Sequence, residues 1–164
     1  MIIIKHILVP TDFSEASEVA LRYGRELARS NGATLHVLHV VQDVAAGMTD
    51  VLVYPDLRPF QVALEESASR ELDALVSRED CRLLNARPVV LSDTSSAVAI
   101  VEYAREIRAD LVVMGTHGRS GAMRLVMGSV AERVVRTAPC PVLTVRHPEH
   151  EFLRADALQV VARA

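Results

Sequence analysis

Apolar residues run along the first 146 positions in two alternating rhythms. Short, nearly continuous apolar runs rich in β-branched residues occur at Ile2–Pro10, Thr34–Val41, Arg87–Ser92, Asp110–Gly115 and Pro141–Arg146. Runs of that length and character predict strands buried on both faces. Between them lie stretches with helical spacing. "DFSEASEVALRYGRELARSNGA" presents Val19, Leu21, Tyr23, Leu27 and Ala28 as a broad stripe, with Ser14 or Asp12 as its N-cap and Asn31-Gly32 as its stop. Further helices are predicted over Gln61–Glu79, Ser95–Ala109 and Ser129–Ala138. Five strands separated by four helices predict a three-layer, doubly wound α/β domain: a mainly parallel sheet with helices on both faces.

Two segments break the rhythm. Residues 42–59, with Gly47, Pro55 and Pro59, form a connection long enough to be a lid or a binding loop. Residues 147–164 follow the last strand as a tail, in which Phe152, Leu153, Leu158 and Val161 mark one face of a predicted short helix. The reading is one domain over 1–146 with a C-terminal tail over 147–164.

Composition narrows the classes of partner. The 164 residues carry 18 basic and 21 acidic side chains, well mixed, for a formal charge of −3. That leaves no electrostatic footprint for nucleic acid and no polybasic membrane patch. No apolar run approaches the ~18 residues of a membrane span, and the N-terminal run is too short for a signal peptide. A soluble, cytoplasmic protein is expected. Two cysteines, Cys81 and Cys140, make no disulfide framework and no zinc spacing, so both are expected to be reduced and structural.

The candidate chemistry lies in two loops. "PTDFS" (Pro10–Ser14) follows the first strand, and "GTHGRSG" (Gly115–Gly121) follows the fourth. In a sheet of order 3-2-1-4-5 both open into one cleft, at the point where the strand order reverses. Gly115 and Gly118 allow the chain to turn with positive φ and to approach a ligand closely. Gly128-Ser129 stands just before a helical run, whose first amides lack internal partners and point outward at the positive end of the dipole, an anion site. Arg119 and Arg124 lie between as sources of charge. The plainer alternative is that the glycines mark turns and Ser129 only caps a helix. The segment is neither a Walker A motif nor G-x-G-x-x-G.

Gly115-Thr-His-Gly118, nine residues, then Gly128-Ser129 fits G-x2-G-x9-G-[S/T]. With "HILVPTDFSE", "LHVLHVV", "DLVVMGTHGRSG" and "GSVAERVVRTAPCPVLTVR", the chain from about residue 1 to 146 resembles the ATP-binding universal stress proteins. The resemblance implies a Rossmann-like, adenine nucleotide alpha hydrolase-like domain of strand order 3-2-1-4-5, holding ATP (or ADP or AMP), with Mg²⁺, between the loops after strands one and four. It implies that Pro10, Thr11 and Asp12 surround adenosine, with Asp12 at the ribose. The residue matching Val40 or Val41, carried here to Val41, meets adenine through its main chain. Met114, Gly115, His117, Gly118, Arg119, Gly128, Ser129 and Val130 complete the nucleotide site. Ala131 departs from members with a hydroxyl residue there, which removes one phosphate contact. Asp12 also has a plainer reading as the N-cap of the first helix.

No catalytic residue or metal ligand is assigned. His36 and His39, three apart in a strand, fall on opposite faces and read as satisfied structural histidines. His117 has a phosphate or proton-transfer role to weigh against a solvated loop position. Three functions compete: a regulatory module that holds ATP, a slow ATPase or phosphotransferase, and a nucleotide-free interaction scaffold. The complete glycine-serine pattern opposes the third. The lack of an evident base and of a P-loop lysine opposes an efficient enzyme. Finally, Pro141–Arg146 is an edge strand with apolar Val142, Leu143 and Val145, so a homodimer through that strand is expected, as the resemblance also implies; the tail folding over the edge is the alternative.

Overall fold

The computed structural model describes residues 2–44, 46, 57–116 and 127–146. Five parallel strands, β1 (His6–Pro10), β2 (Thr34–Gln42), β3 (Arg87–Asp93), β4 (Leu111–Gly115) and β5 (Val142–Val145), form one sheet of order β3-β2-β1-β4-β5. The expected order and layering are both present. Helices α1 (Glu15–Asn31), α2 (Arg58–Leu75) and α3 (Arg78–Leu84) pack on one side, and α4 (Ser96–Glu106) and α5 (Ser129–Thr137) on the other.

Strand alternation distributes the core. Ile7, Val9, Leu35 and Val37 join the cluster under α1 and α2, while Leu8, Leu38 and Val112 face α4 and α5. All seven are fully buried, as expected of central strands covered on both faces. The edge strands β3 and β5 are only partly buried. β1 begins at His6 rather than Ile2: Ile2 and Ile3 precede the paired region and are 87 % and 63 % exposed.

Helix boundaries follow local chemistry. Ser14, not Asp12, caps α1, accepting from Ser17 N, and Gly32 closes the helix at φ 63. The single helix predicted over Gln61–Glu79 is in fact two. The chain leaves the helical conformation at Val76, and Ser77 starts α3 with a capping box: its hydroxyl accepts from Asp80 N while the Asp80 carboxylate accepts from Ser77 N. A serine followed three residues later by an acid announces such a start; apolar periodicity runs through it and hides it. Asp80 has a second task. Its carboxylate binds the Arg25 guanidinium at 2.9–3.1 Å, and Arg25 also donates to Leu75 O, so α1, α2 and α3 are tied at one point. Burial by itself would raise the Asp80 pKa; the bonds from Arg25 and Ser77 outweigh it and hold the carboxyl below its ordinary value.

Near the other end of the sheet, Gln61 at the start of α2 accepts from Val44 N and donates to Ser92 Oγ and Glu65, and Ser92 donates to Glu65. These bonds fasten α2 to the carboxyl ends of β2 and β3. Cys81 and Cys140 are unpaired, and burial raises the Cys140 thiol, which keeps it protonated. No helix among the described residues is long and apolar enough to cross a membrane.

Candidate functional site

A cavity of about 360 Å³ opens at the carboxyl ends of β1, β2 and β4. Its position follows from topology. β1 pairs with β2 on one side and β4 on the other, so the connections leaving β1 and β4 diverge to opposite faces and leave a crevice between them. The volume is in the range of small-molecule sites.

The first wall is the turn after β1, contributing Pro10, Thr11 and Asp12. Thr11 is buried, and its hydroxyl accepts from Phe13 N at 3.1 Å and meets Ser17 Oγ at 3.0 Å. Ser17 Oγ donates its own proton to Ser14 O, so Thr11 is the donor in the hydroxyl pair. Asp12 Oδ1 accepts from Ser14 N and from Ser14 Oγ. The carboxylate is therefore oriented by the helix cap behind it rather than serving as the cap.

The floor comes from β2, through Leu38, His39 and Val40. Thr11 N donates to Leu38 O, so the Leu38 main chain faces β1. In a parallel ladder successive residues alternate sides. Val40 therefore also turns its main chain toward β1, and Val41 turns toward β3. β1 ends at Pro10, opposite Leu38, so Val40 lies beyond its end and faces the cavity.

The far wall is the end of β4 and the start of α5. Met114, Gly115 and Thr116 line it, with Gly128, Ser129, Val130 and Ala131 opposite. Gly128 N donates to Thr116 O at 2.8 Å, which brings the mouth of α5 against the strand end. Gly128 is the N-cap and offers no side-chain cap, while its carbonyl accepts from Glu132 N. The amides of Ser129, Val130 and Ala131 precede the first intrahelical bond, so the positive end of the helix opens on the cavity. Gly115 does not have the positive φ expected of it; among the described glycines only Gly32 does. Its need is space: a Cβ there would lie 3.0 Å from the Ala16 main chain.

Eight residues expected from the sequence thus meet at one cavity: Pro10, Thr11, Asp12, Met114, Gly115, Gly128, Ser129 and Val130. Val41 is buried and is not in the lining; Val40 takes its place, for the ladder reason above. His117, Gly118 and Arg119 lie outside the described residues, as do Gly121 and Arg124. Sequence reasoning missed Ser17, Thr116, Ser96, Ile100 and His39. The last was read as structural, yet it lies in the lining and bonds the Thr11 carbonyl at 2.8 Å. Among the described lining residues there is no lysine or arginine. No group of three His, Cys, Asp or Glu among the described residues is placed to hold a metal.

His36 belongs to the opposite end of the sheet. It is 3 % exposed, its Nδ1 meets Tyr103 Oη at 3.0 Å, and its Nε2 is buried with no partner among the described residues. It is structural, as expected, but not fully satisfied.

This sheet order, with a crevice walled by the β1 turn and by an uncapped helix start after β4, defines a doubly wound α/β domain with a polar crevice at the carboxyl ends of its central strands. Residues 4–146 match the Universal stress protein family. A universal stress protein of Methanocaldococcus jannaschii is 33 % identical over 159 residues, covering 90 % of this chain and 85 % of its own. The solved universal stress protein UspA of Lactobacillus plantarum superposes with a TM-score of 0.72 at 28 % identity, covering 88 % and 99 % of the two chains. The universal stress protein of Archaeoglobus fulgidus, solved in complex with dAMP, shares the fold at 23 % identity and a TM-score of 0.59, over 88 % and 98 %. The chain belongs to the universal stress protein family.

Proposed function

We propose that this cavity holds an adenine nucleotide, ATP or its diphosphate or monophosphate, with Mg²⁺ on the phosphates, and that the protein works as a stress-response regulatory module. The observation that carries the reading is convergence. The amides at the start of α5, the Asp12 carboxylate and the Val40 main chain face one crevice. They suit phosphate, ribose hydroxyls and a purine edge in that order. The dAMP found in the A. fulgidus relative supports the adenine assignment.

The chemistry favours holding over turnover. The described lining offers Asp12 and His39 as its titratable groups and no cation. Exposed helix-terminus contacts contribute ~0.3–1 kcal/mol each, whereas a micromolar dissociation constant needs about −8 kcal/mol. Adenosine contacts therefore supply much of the affinity. Titration calorimetry with Mg²⁺ is expected to give micromolar binding of ATP, ADP and AMP within about tenfold of ATP, and markedly weaker GTP. A long phosphate-release assay is expected to show no sustained turnover. Absence of heat with every adenine nucleotide would overturn the site assignment, and steady release would make the protein a slow ATPase instead.

The working unit is residues 1–146 in a cytoplasmic homodimer, with 147–164 as an appended tail. β5 is a sheet edge on which Leu143 is 38 % exposed, and the α5 residue Val135 is 45 % exposed. An uncovered apolar edge recruits another chain. Sedimentation is expected to show a dimer that Leu143→Glu converts to a monomer without loss of nucleotide binding. A monomeric native protein would remove this part of the proposal.

A further inference from the structure

His39 holds an unusual place in the ladder between β1 and β2. Thr11 stands opposite it, one residue past the end of β1, and Thr11 N still makes the ladder bond to Leu38 O. The next rung of a parallel ladder would bring Val40 N–H to the Thr11 carbonyl. That carbonyl instead accepts from His39 Nδ1 at 2.8 Å. A carbonyl only accepts, so Nδ1 carries the proton. The ring is held from a second side by Phe13, at 4.4 Å between centroids and 31° between planes. Phe13 itself sits at φ 62, a conformation that bulky residues adopt only when their surroundings fix it.

We propose that His39 is a positioning residue that stops the sheet from zipping one rung further. By occupying the Thr11 carbonyl it leaves the Val40 N–H and C=O turned into the cavity, where they read a purine edge. It also holds the Thr11–Phe13 turn that aims Asp12. The proposal rests on the nucleotide reading of the cavity but makes a claim of its own about the empty protein. With the imidazole removed, Val40 N–H closes on Thr11 O and the base-reading edge is lost, while the phosphate end at α5 is untouched.

Two variants separate donor from bulk. His39→Leu keeps volume and removes the donor. His39→Asn places an amide nitrogen near the position of Nδ1 and restores it. The first readout needs no nucleotide: amide hydrogen exchange at Val40. In the native protein and in His39→Asn, Val40 exchanges quickly; in His39→Leu it is expected to slow at least about tenfold as the extra rung forms. The second readout is calorimetry. His39→Leu is expected to weaken ATP about tenfold and to leave inorganic triphosphate unchanged, with His39→Asn within about threefold of native for both. Unaltered Val40 exchange in His39→Leu, or equal loss in the Leu and Asn variants, overturns the proposal. If native protein binds no adenine nucleotide, the reading of the cavity fails, and Val40 exchange alone still decides whether His39 stops the ladder.

Discussion

Gly128→Asp is expected to leave the fold as stable as the native protein, or more stable by about 0.3–1 kcal/mol, and to weaken ATP binding by at least about 100-fold. Both effects arise from the same atoms. Gly128 is the N-cap of α5 at φ −62 and ψ 149, an extended conformation open to any residue. Aspartate is among the preferred N-caps and gains a few tenths of a kcal/mol over glycine, with a further contribution from its charge at the helix dipole. It does so by accepting from the amides of Val130 or Ala131, which both line the cavity. A phosphate would lose those donors, each worth ~0.3–1 kcal/mol, and would meet a carboxylate in their place, whose repulsion supplies the larger part of the loss. Adenosine has no phosphate and is expected to lose less than about threefold. Calorimetry with ATP and adenosine, beside a urea melt, reads all three quantities. Native-like ATP affinity in this variant would mean that the phosphates do not lie at the start of α5.

The strands and the two cavity loops are legible in local signals, whereas the strand order and most of the eight lining residues follow from the resemblance to the universal stress proteins. Continuous apolar runs mark the central strands, and Gly128-Ser129 before an apolar helical run marks an open helix mouth. What escaped depends on register between distant segments. Whether Val40 or Val41 turns its main chain to the cavity is decided by which residue of β2 lies opposite Thr11, and no property of "LHVLHVV" reports that. His39 looks like His36 in sequence, yet one ring supports the cavity and the other is sealed beside Tyr103, 67 positions away. Gly115 was assigned for the wrong reason: its constraint is the approach of Ala16, a contact between α1 and β4. The split between α2 and α3 was present in the sequence as Ser77 and Asp80, but a capping box is a weaker signal than the periodicity that runs across it.

Stability is expected to fall by about 3 kcal/mol as the pH drops from 6.5 to about 4, and His36 is the cause. Burial is the largest influence on this ring, followed by the charges of His6 and Arg87; together they lower its pKa from 6.5 to about 4. His6 lies 5.6 Å away between ring centroids on β1, Arg87 pairs with His36 in register on β3, and Tyr103 meets it from α4. Protonating the buried ring would place a positive charge beside these groups with no acceptor at Nε2 among the described residues. The sign follows from linkage. Below pH 6.5 the unfolded chain takes up a proton at His36 that the native protein refuses until about pH 4, so the native state loses ground throughout that interval and the loss is complete below it. The described carboxylates held low in the fold, Glu65, Asp80 and Asp110, contribute in the same direction, but their stabilisation is lost only as the pH falls through their ordinary values, 4.5 for Glu65 and 3.8 for the two aspartates. The slope between pH 6.5 and 5 therefore belongs to the histidine. His36→Asn keeps a hydrogen-bonding group for Tyr103 and cannot titrate. It is expected to be less stable than native at pH 7.5 by about 1–2 kcal/mol, from the lost ring volume, and nearly flat from pH 6.5 to 5, so that the two stability curves converge as acid is added. Parallel curves in urea titrations at pH 7.5, 6.5, 5.5 and 5 would show that the ring accepts its proton at an ordinary pH and that its burial costs nothing on ionisation.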